Sequence, residues 1–330
     1  MTSSDEKRPR YRRRLVWLAV FIVILFGGYS AAWFYFAGLL EREVETALVS
    51  ASKGGVSAEC ANPTARGFPF RIGLFCDNVA YSDDSRGVVA TAGSFRSAAQ
   101  VYQPTRIVAE LDGPFRSALP GLPPLWLDWD KLRTSIRLAA PFPERISLET
   151  EGLSGQADPD GNDPVQLFSV TSAETHLRPN GADLDWAATF TELRLDPASA
   201  GGRTLPVFDG TTDMTLKDGI RLIQSEKASL RGQAVDIHRL DLNSGTGGFS
   251  VRGPVSIGAD GLVDAKLTLS VRDPKALAAT LSTAFPEAKD KIDGTLLGFA
   301  ALGNEASLPF TIAKGKMSLA FIPLGNLPPL

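Results

Sequence analysis

Three patterns of apolar and polar residues succeed one another along the chain. The first is an unbroken apolar run, LVWLAVFIVILFGGYSAAWFYFAGLL, from Leu15 to Leu40, 26 residues without a charge. A bilayer core of about 30 Å takes roughly 20 residues of apolar helix, so 15–40 is expected to span a membrane once, with some tilt. Lipid offers no partner to a free backbone amide, and a helix satisfies its own. The second pattern is short. Leu40, Val44, Ala47 and Leu48 share one helical face, with Glu41, Arg42 and Glu45 between them. It predicts a juxtamembrane helix over 41–55, closed by Gly54-Gly55, that lies on the membrane surface or docks on the domain beyond.

The third pattern fills 56–330 and has period two. In Val263–Arg272, the residues Val263, Ala265, Leu267, Leu269 and Val271 face one way, and Asp264, Lys266, Thr268, Ser270 and Arg272 the other. Leu132, Thr134, Ile136 and Leu138 alternate with Arg133, Ser135 and Arg137. Ile107, Ala109 and Leu111 form another set, and Phe70, Ile72, Leu74 and Cys76 a fourth. Such runs are half-buried strands. Asp-Gly or Asn-Gly recurs at Asp112, Asp160, Asn180, Asp209, Asp218, Asp260 and Asp293, a dipeptide that suits tight hairpins because it tolerates positive φ. The chain is therefore expected to be mainly β: a single N-terminal transmembrane helix followed by a long curved antiparallel sheet. Helix signals in this part are few. Asp273-Pro274 supplies an N-cap and a proline at the first helical position, with Leu277 and Leu281 on one face, and a second short helix is expected from Glu287. The proline- and aromatic-rich stretch Pro114–Trp129 reads as a loop or crossover.

A sheet with one apolar side has to cover it. It folds back on itself as a closed sandwich, or it leaves a groove. Beside a bilayer, acyl chains are the natural filler of a groove, at about 0.8 kcal/mol per buried CH₂. The candidate lining is Phe70, Ile72, Leu74, Ile107, Leu111, Ile136, Leu138, Leu267 and Leu269.

Charge sets orientation. Residues 1–14 carry six basic and two acidic side chains, a net of +4, and the whole chain carries −3, which leaves −7 beyond the tail. The positive-inside bias makes 1–14 a cytoplasmic tail and puts 56–330 in the periplasm of a bacterial inner-membrane protein. The alternative is a cleaved signal peptide, with Leu15–Phe26 as its apolar core and Ser30-Ala31-Ala32 near the cut; it exports the same domain. A weakly acidic exported domain does not suit nucleic acid. It also makes any membrane contact beyond the anchor apolar in origin. Cys60 and Cys76, 16 residues apart, are expected to form a disulfide in an oxidising compartment, with two buried free thiols as the alternative.

Signatures of catalysis are missing from the sequence: no HExxH, GxSxG or P-loop pattern occurs. His176 and His238 lie in separate strand-like segments. Ser50-Ala51-Ser52-Lys53 matches SxxK, yet it sits in the juxtamembrane helix without its partner motifs. Gly245-Thr246-Gly247-Gly248 reads as a turn, and Asp83-Asp84 and Asp158-Pro159-Asp160 as solvated turns rather than calcium sites. No enzymatic activity, cofactor or metal is expected.

The stretch GFPFRIGLFC, Gly67 to Cys76, follows a basic-flanked span, a short helix and the first cysteine. SFRSAAQVYQPTRIVAELDGP and a proline-rich end, LGNLPPL, come downstream. In combination these resemble an alphaproteobacterial family of membrane-anchored proteins, domain of unknown function 2125, over nearly the whole chain from Leu15 to Leu330. The resemblance implies an envelope-facing protein with no assigned reaction. The architecture is in turn similar to AsmA-like envelope proteins, in which a long curved antiparallel sheet hangs from one helix and offers an apolar trough, a likeness of fold alone. The motif Gly67, Phe68, Pro69, Phe70 and Arg71 then opens the first core strand, or makes a contact at the mouth of the trough. The expectation is a non-enzymatic, inner-membrane-anchored periplasmic protein of envelope biogenesis that binds or passes lipid. The alternative is an envelope scaffold with a closed β core that meets other envelope proteins.

Overall fold

The structure is a computed structural model and describes residues 8–52, 54–157, 165–224 and 229–330. Helix α1 (Arg8–Ala51) runs 44 residues without a break, about 66 Å at 1.5 Å per residue. The span and the juxtamembrane helix are thus one rod, which stops at Ala51, short of Gly54-Gly55. About 30 Å of it is enough to cross a bilayer core. Its C-terminal part stands beside the first strands.

Those strands are short: β1 (Val56–Cys60), β2 (Thr64–Arg66), β3 (Arg71–Cys76), β4 (Val79–Asp83), β5 (Val88–Ala92), β6 (Phe95–Gln100), β7 (Gln103–Leu111), β8 (Phe115–Ala118), β9 (Leu125–Asp128) and β10 (Lys131–Arg137). Longer ones follow: β11 (Arg145–Ala157), β12 (Val165–Asn180), β13 (Asp183–Leu195) and β14 (Phe208–Leu216). After the short helix α2 (Gly219–Gln224) come β15 (Ala234–Ser244), β16 (Gly247–Ile257) and β17 (Val263–Arg272). Helices α3 (Pro274–Ala284) and α4 (Lys289–Ala301) precede β18 (Glu305–Ala313), β19 (Lys316–Leu319) and β20 (Ile322–Asn326). Among the described residues all 20 strands belong to one sheet, and every ladder in it is antiparallel.

Strands β1–β10 are long strands each broken in two. One half-ladder runs β2-β3-β6-β7-β10 and the other β1-β4-β5-β8-β9. Both end on β11, where β10 pairs with Arg145–Glu151 and β9 with Ser154–Ala157. The breaks line up as a crease across the sheet. A disulfide between Cys60 and Cys76 closes it at one side, with Cα atoms 5.3 Å apart. Further along, the Arg96 guanidinium grips Asp112 at 2.6 and 2.8 Å, and the Ser94 hydroxyl donates to the same carboxylate. Gly93 has no room for a side chain, since a Cβ there would lie 2.9 Å from the Asp112 carbonyl oxygen. From β11 onward each strand pairs with its successor.

The accessible surface is 21145 Å², against about 13,000 Å² expected of a globular protein of 35.3 kDa. The bare rod of α1 supplies part of the excess and the single-layer sheet the rest. The fully buried apolar cluster sits at the C-terminal end, where Leu277 of α3 and Leu296 and Phe299 of α4 pack on Val271 and Ala306. Helix α3 begins as its sequence predicts: Asp273 accepts from the Ala276 amide at 3.1 Å ahead of Pro274. Helix α4 is a full 13 residues.

Several turn expectations need correction. Asn180-Gly181 and Asp260-Gly261 do connect neighbouring strands. Asp112-Gly113 lies at the crease, Asp209-Gly210 inside β14, Asp218-Gly219 at the start of α2 and Asp293-Gly294 inside α4, while Asp160 is outside the described residues. The stretch Pro114–Trp129 is not a plain loop, because it contributes β8 and β9. Local turn chemistry gave way there to ladder pairing on both sides.

Candidate functional site

The motif around Pro69 enters the sheet only at its last residue, Arg71, which opens β3 opposite Gln100. Gly67–Phe70 form a turn ahead of β3 that wraps the anchor helix. Gly67 adopts φ +118°, and a Cβ there would sit 2.9 Å from the Arg71 backbone, so the position requires glycine. The Phe68 ring stacks on Phe34 at 5.6 Å and meets Trp33 edge-on at 5.4 Å. The Tyr29 hydroxyl donates to the Pro69 carbonyl, and Trp33 Nε1 to the Arg71 carbonyl at 2.8 Å. The Gly67 and Phe70 carbonyls accept from the amides of Arg71 and Val101 at 2.9 and 3.0 Å. Higher on the helix, the Glu41 carboxylate accepts from the Ala65 amide at 2.7 Å. These bonds satisfy backbone groups of the turn and of β2, several of them with side chains of α1.

Behind the turn, α1 and the sheet enclose an apolar cleft of about 550 Å³, a size suited to a small ligand. Tyr29, Trp33 and Phe36 of α1 face Ile72, Val101 and Pro104 across it. From Ile72 the strand registers carry one apolar line onward. Ile72 stands opposite Ala99, Ala99 opposite Ile107, and the line continues through Ile136, Ile146, Leu177, Trp186, Met214 and Ile237. At about 4.8 Å per strand it is about 38 Å long. None of these side chains is fully buried, and Trp186 keeps 38% of its surface exposed. The next row on the same face mixes threonines with apolar residues: Ala109, Thr134, Leu148, Thr175, Ala188, Thr212 and Leu240. It ends at Leu269 and Leu308, which pack against the C-terminal helices.

The residues expected to line a groove fall into three groups. Ile72, Ile107 and Ile136 belong to the apolar line itself, with Leu74 and Leu111 two and four residues along the same strand faces as Ile72 and Ile107. Leu267 and Leu269 reach this face on β17, but Leu269 is covered by the C-terminal cluster. Phe70 and Leu138 stand just outside their strands. Phe70 precedes β3 and is 67% exposed, and Leu138 lies beyond β10 and is 46% exposed. Their backbones still bond to the next strand, the Phe70 carbonyl accepting from the Val101 amide and the Leu138 amide donating to the Thr105 carbonyl. Periodicity missed Ala99, Ile146, Leu177, Trp186, Met214 and Ile237. The alternation Trp186, Ala188, Phe190 was the available signal.

The polar face holds the histidines. His176 Nδ1 lies 2.9 Å from Ser147 Oγ, and His238 Nε2 3.0 Å from the Thr215 hydroxyl. That hydroxyl donates to Asp185 at 2.8 Å, and Arg178 donates to the same carboxylate at 2.7 Å. The Arg178 hydrogen bond is the main reason the Asp185 carboxyl sits below the usual carboxylate range. Asp83 is buried and takes the Ser85 and Arg86 amides, a local turn rather than a solvated one. Among the described residues no three acidic, histidine or cysteine side chains group as metal ligands. Gly245-Thr246 turn β15 into β16, which Gly247 and Gly248 open opposite Ser244 and Asn243, whereas Asp158–Asp160 and Lys53 lie outside the described residues.

A family model described as an uncharacterized protein conserved in bacteria (DUF2125) matches residues 33–328. No curated protein matches the chain.

Proposed function

The chain belongs to that uncharacterised bacterial family, and from this premise we propose that it is a non-enzymatic lipid-handling protein of the cell envelope. Helix α1 anchors it in the inner membrane, and residues 56–330 stand on the periplasmic side. The reading is carried by the apolar line that starts in the cleft against the anchor and crosses nine strands to Ile237. An acyl chain in one leaflet occupies about 15 Å, half the bilayer core. A line of about 38 Å therefore leads well away from the membrane. Its side chains are half exposed, so an acyl chain laid along them removes apolar surface from water at about 25 cal/mol per Å². Carrying lipid makes and breaks no bond, and a dry wall is all it needs.

Photoreactive residues placed one at a time test this in cells. At Ile136 and Trp186 the proposal expects lipid adducts, and at their sheet neighbours Ser135 and Ala187, on the opposite face, few or none. Equal labelling of the two faces, or no lipid at any position, overturns it. Adducts to other proteins at Ile136 and Trp186 favour the scaffold instead.

A further inference from the structure

We propose that the edge of the sheet beside the anchor is itself a membrane-docking surface, with apolar tips that enter the bilayer and a belt of arginines that meets anionic headgroup phosphates. The inference rests on reading α1 as a membrane anchor and stands whether or not the apolar line holds lipid. Its first support is depth. Counting from Leu15, Trp33 and Phe34 lie about 27–29 Å along the helix, at the far boundary of a core about 30 Å thick. Phe68 packs on both rings, so its turn is at that boundary too. Phe70 and, in the β6–β7 turn hydrogen-bonded to it, Val101 and Tyr102 stay exposed. Leu138, which opens the next loop at this edge, bonds through its amide to Thr105. These exposed apolar tips belong to neighbouring loops of one edge, next to a helix that must itself be in lipid.

The second support is charge. Arg106 lies directly opposite Arg137, and Arg137 directly opposite Arg145. In the same register Arg145 neighbours Arg178 on β12, one step from the pair Ile146 and Leu177. Like charges opposite one another on adjacent strands destabilise a sheet, so an external anion has a reason to be there. Arg137 pairs with Glu144 at 3.1 Å and Arg178 with Asp185 at 2.7 Å. Arg106 and Arg145 make no ion pair among the described residues. The belt projects from the face opposite Ile107, Ile136 and Ile146, and it sits one to four residues inward of the apolar tips. Such an order, apolar outermost and guanidinium just behind, matches a leaflet's acyl region and its phosphates. The net charge of −7 beyond the tail averages over the whole domain and hides this local row.

The full chain reconstituted in nanodiscs of phosphatidylcholine, with or without phosphatidylglycerol, provides the test. A photoreactive residue at Tyr102 is expected to form lipid adducts in both discs, and one at Ser85, across the crease, to form none. Adduct yield at Tyr102 should rise in the anionic disc, and that preference should fall about five-fold for each arginine removed in Arg106→Gln and Arg145→Gln. Both arginines are exposed, and removing either relieves a like-charge pair, so unfolding midpoints should hold or rise slightly and not fall. Labelling at Tyr102 no greater than at Ser85, capture of a second copy of the chain in place of lipid, or a preference unaltered by the substitutions each overturns the proposal. Labelling at Trp186 in the same discs reports separately on the apolar line, so an empty line and an undocked edge are told apart.

Discussion

The same face of the sheet ends in two different ways. At β17 and β18 the chain supplies its own cover: α3 and α4 lie over Val271 and Ala306, and Phe299 is 3% exposed. From β7 to β15 the face carries equally apolar residues, yet Ile107, Ile136, Ile146, Leu177 and Ile237 all remain half exposed. One end is a core in the ordinary sense, and the other is a half-buried apolar surface with no helical hairpin laid over it. The difference lies in two helices of 11 and 13 residues. Asp273-Pro274 starts a helical hairpin that folds back onto the strand before it, whereas the connections between β7 and β13 are too short to lay anything across the sheet.

Substitutions should separate the two ends. Phe299→Ala removes a buried ring from the covered end and is expected to cost about 3–5 kcal/mol of unfolding free energy. Urea unfolding of the detergent-solubilised chain would read this, with early proteolysis in 263–330. Replacing Cys60 and Cys76 by serine lies outside both ends and frees the crease, with an expected loss of about 3 kcal/mol for a loop of this length. The same titration measures it, and reduction of the native chain should reproduce it. At the open end Ile136→Glu should change stability by only about 1 kcal/mol, because the half-exposed carboxylate can reach water. Lipid labelling at Trp186 should nevertheless drop sharply. A stability loss there as large as at Phe299 would erase the contrast.

Acid gives the smallest effect. The Asp112 carboxyl is held below the ordinary carboxylate range, first by the Ser94 hydroxyl and then by Arg96. Its contribution is therefore complete above the unfolded aspartate pKa of about 3.9 and is lost as pH falls through the lower folded value. Unfolding midpoints should be flat from neutral pH down to about pH 4 and fall below it, and Asp112→Asn should flatten that decline.

Much of the architecture could be read from the chain. The charge-free run of 26 residues and the strict alternation in 263–272 are each strong local signals, and the first lies within one unbroken helix while the second is a strand. The α3 start was legible because cap and proline act locally. The crease was not. It comes from Gly93, Asp112-Gly113 and Gly152 meeting partners on neighbouring strands, and no local pattern reports such a meeting. The apolar line was only partly visible, because Ala99 and Met214 carry little strand signal and the threonines of the next row dilute the alternation. The place of Phe70 was hidden for a related reason. Its alternation with Ile72 is real, but the hydrogen bonds of its turn run to Tyr29 and Trp33, some forty residues earlier.

Tyr29, Trp33 and Glu41 fasten the first strands to α1, a helix long and apolar enough to cross a bilayer, and only residues 52–55 separate α1 from β1. Sheet and span therefore turn together. With α1 as the proposed anchor, the compass heading of the apolar wall follows whichever side of α1 meets its neighbours, and a protein that grips that helix would steer everything beyond it.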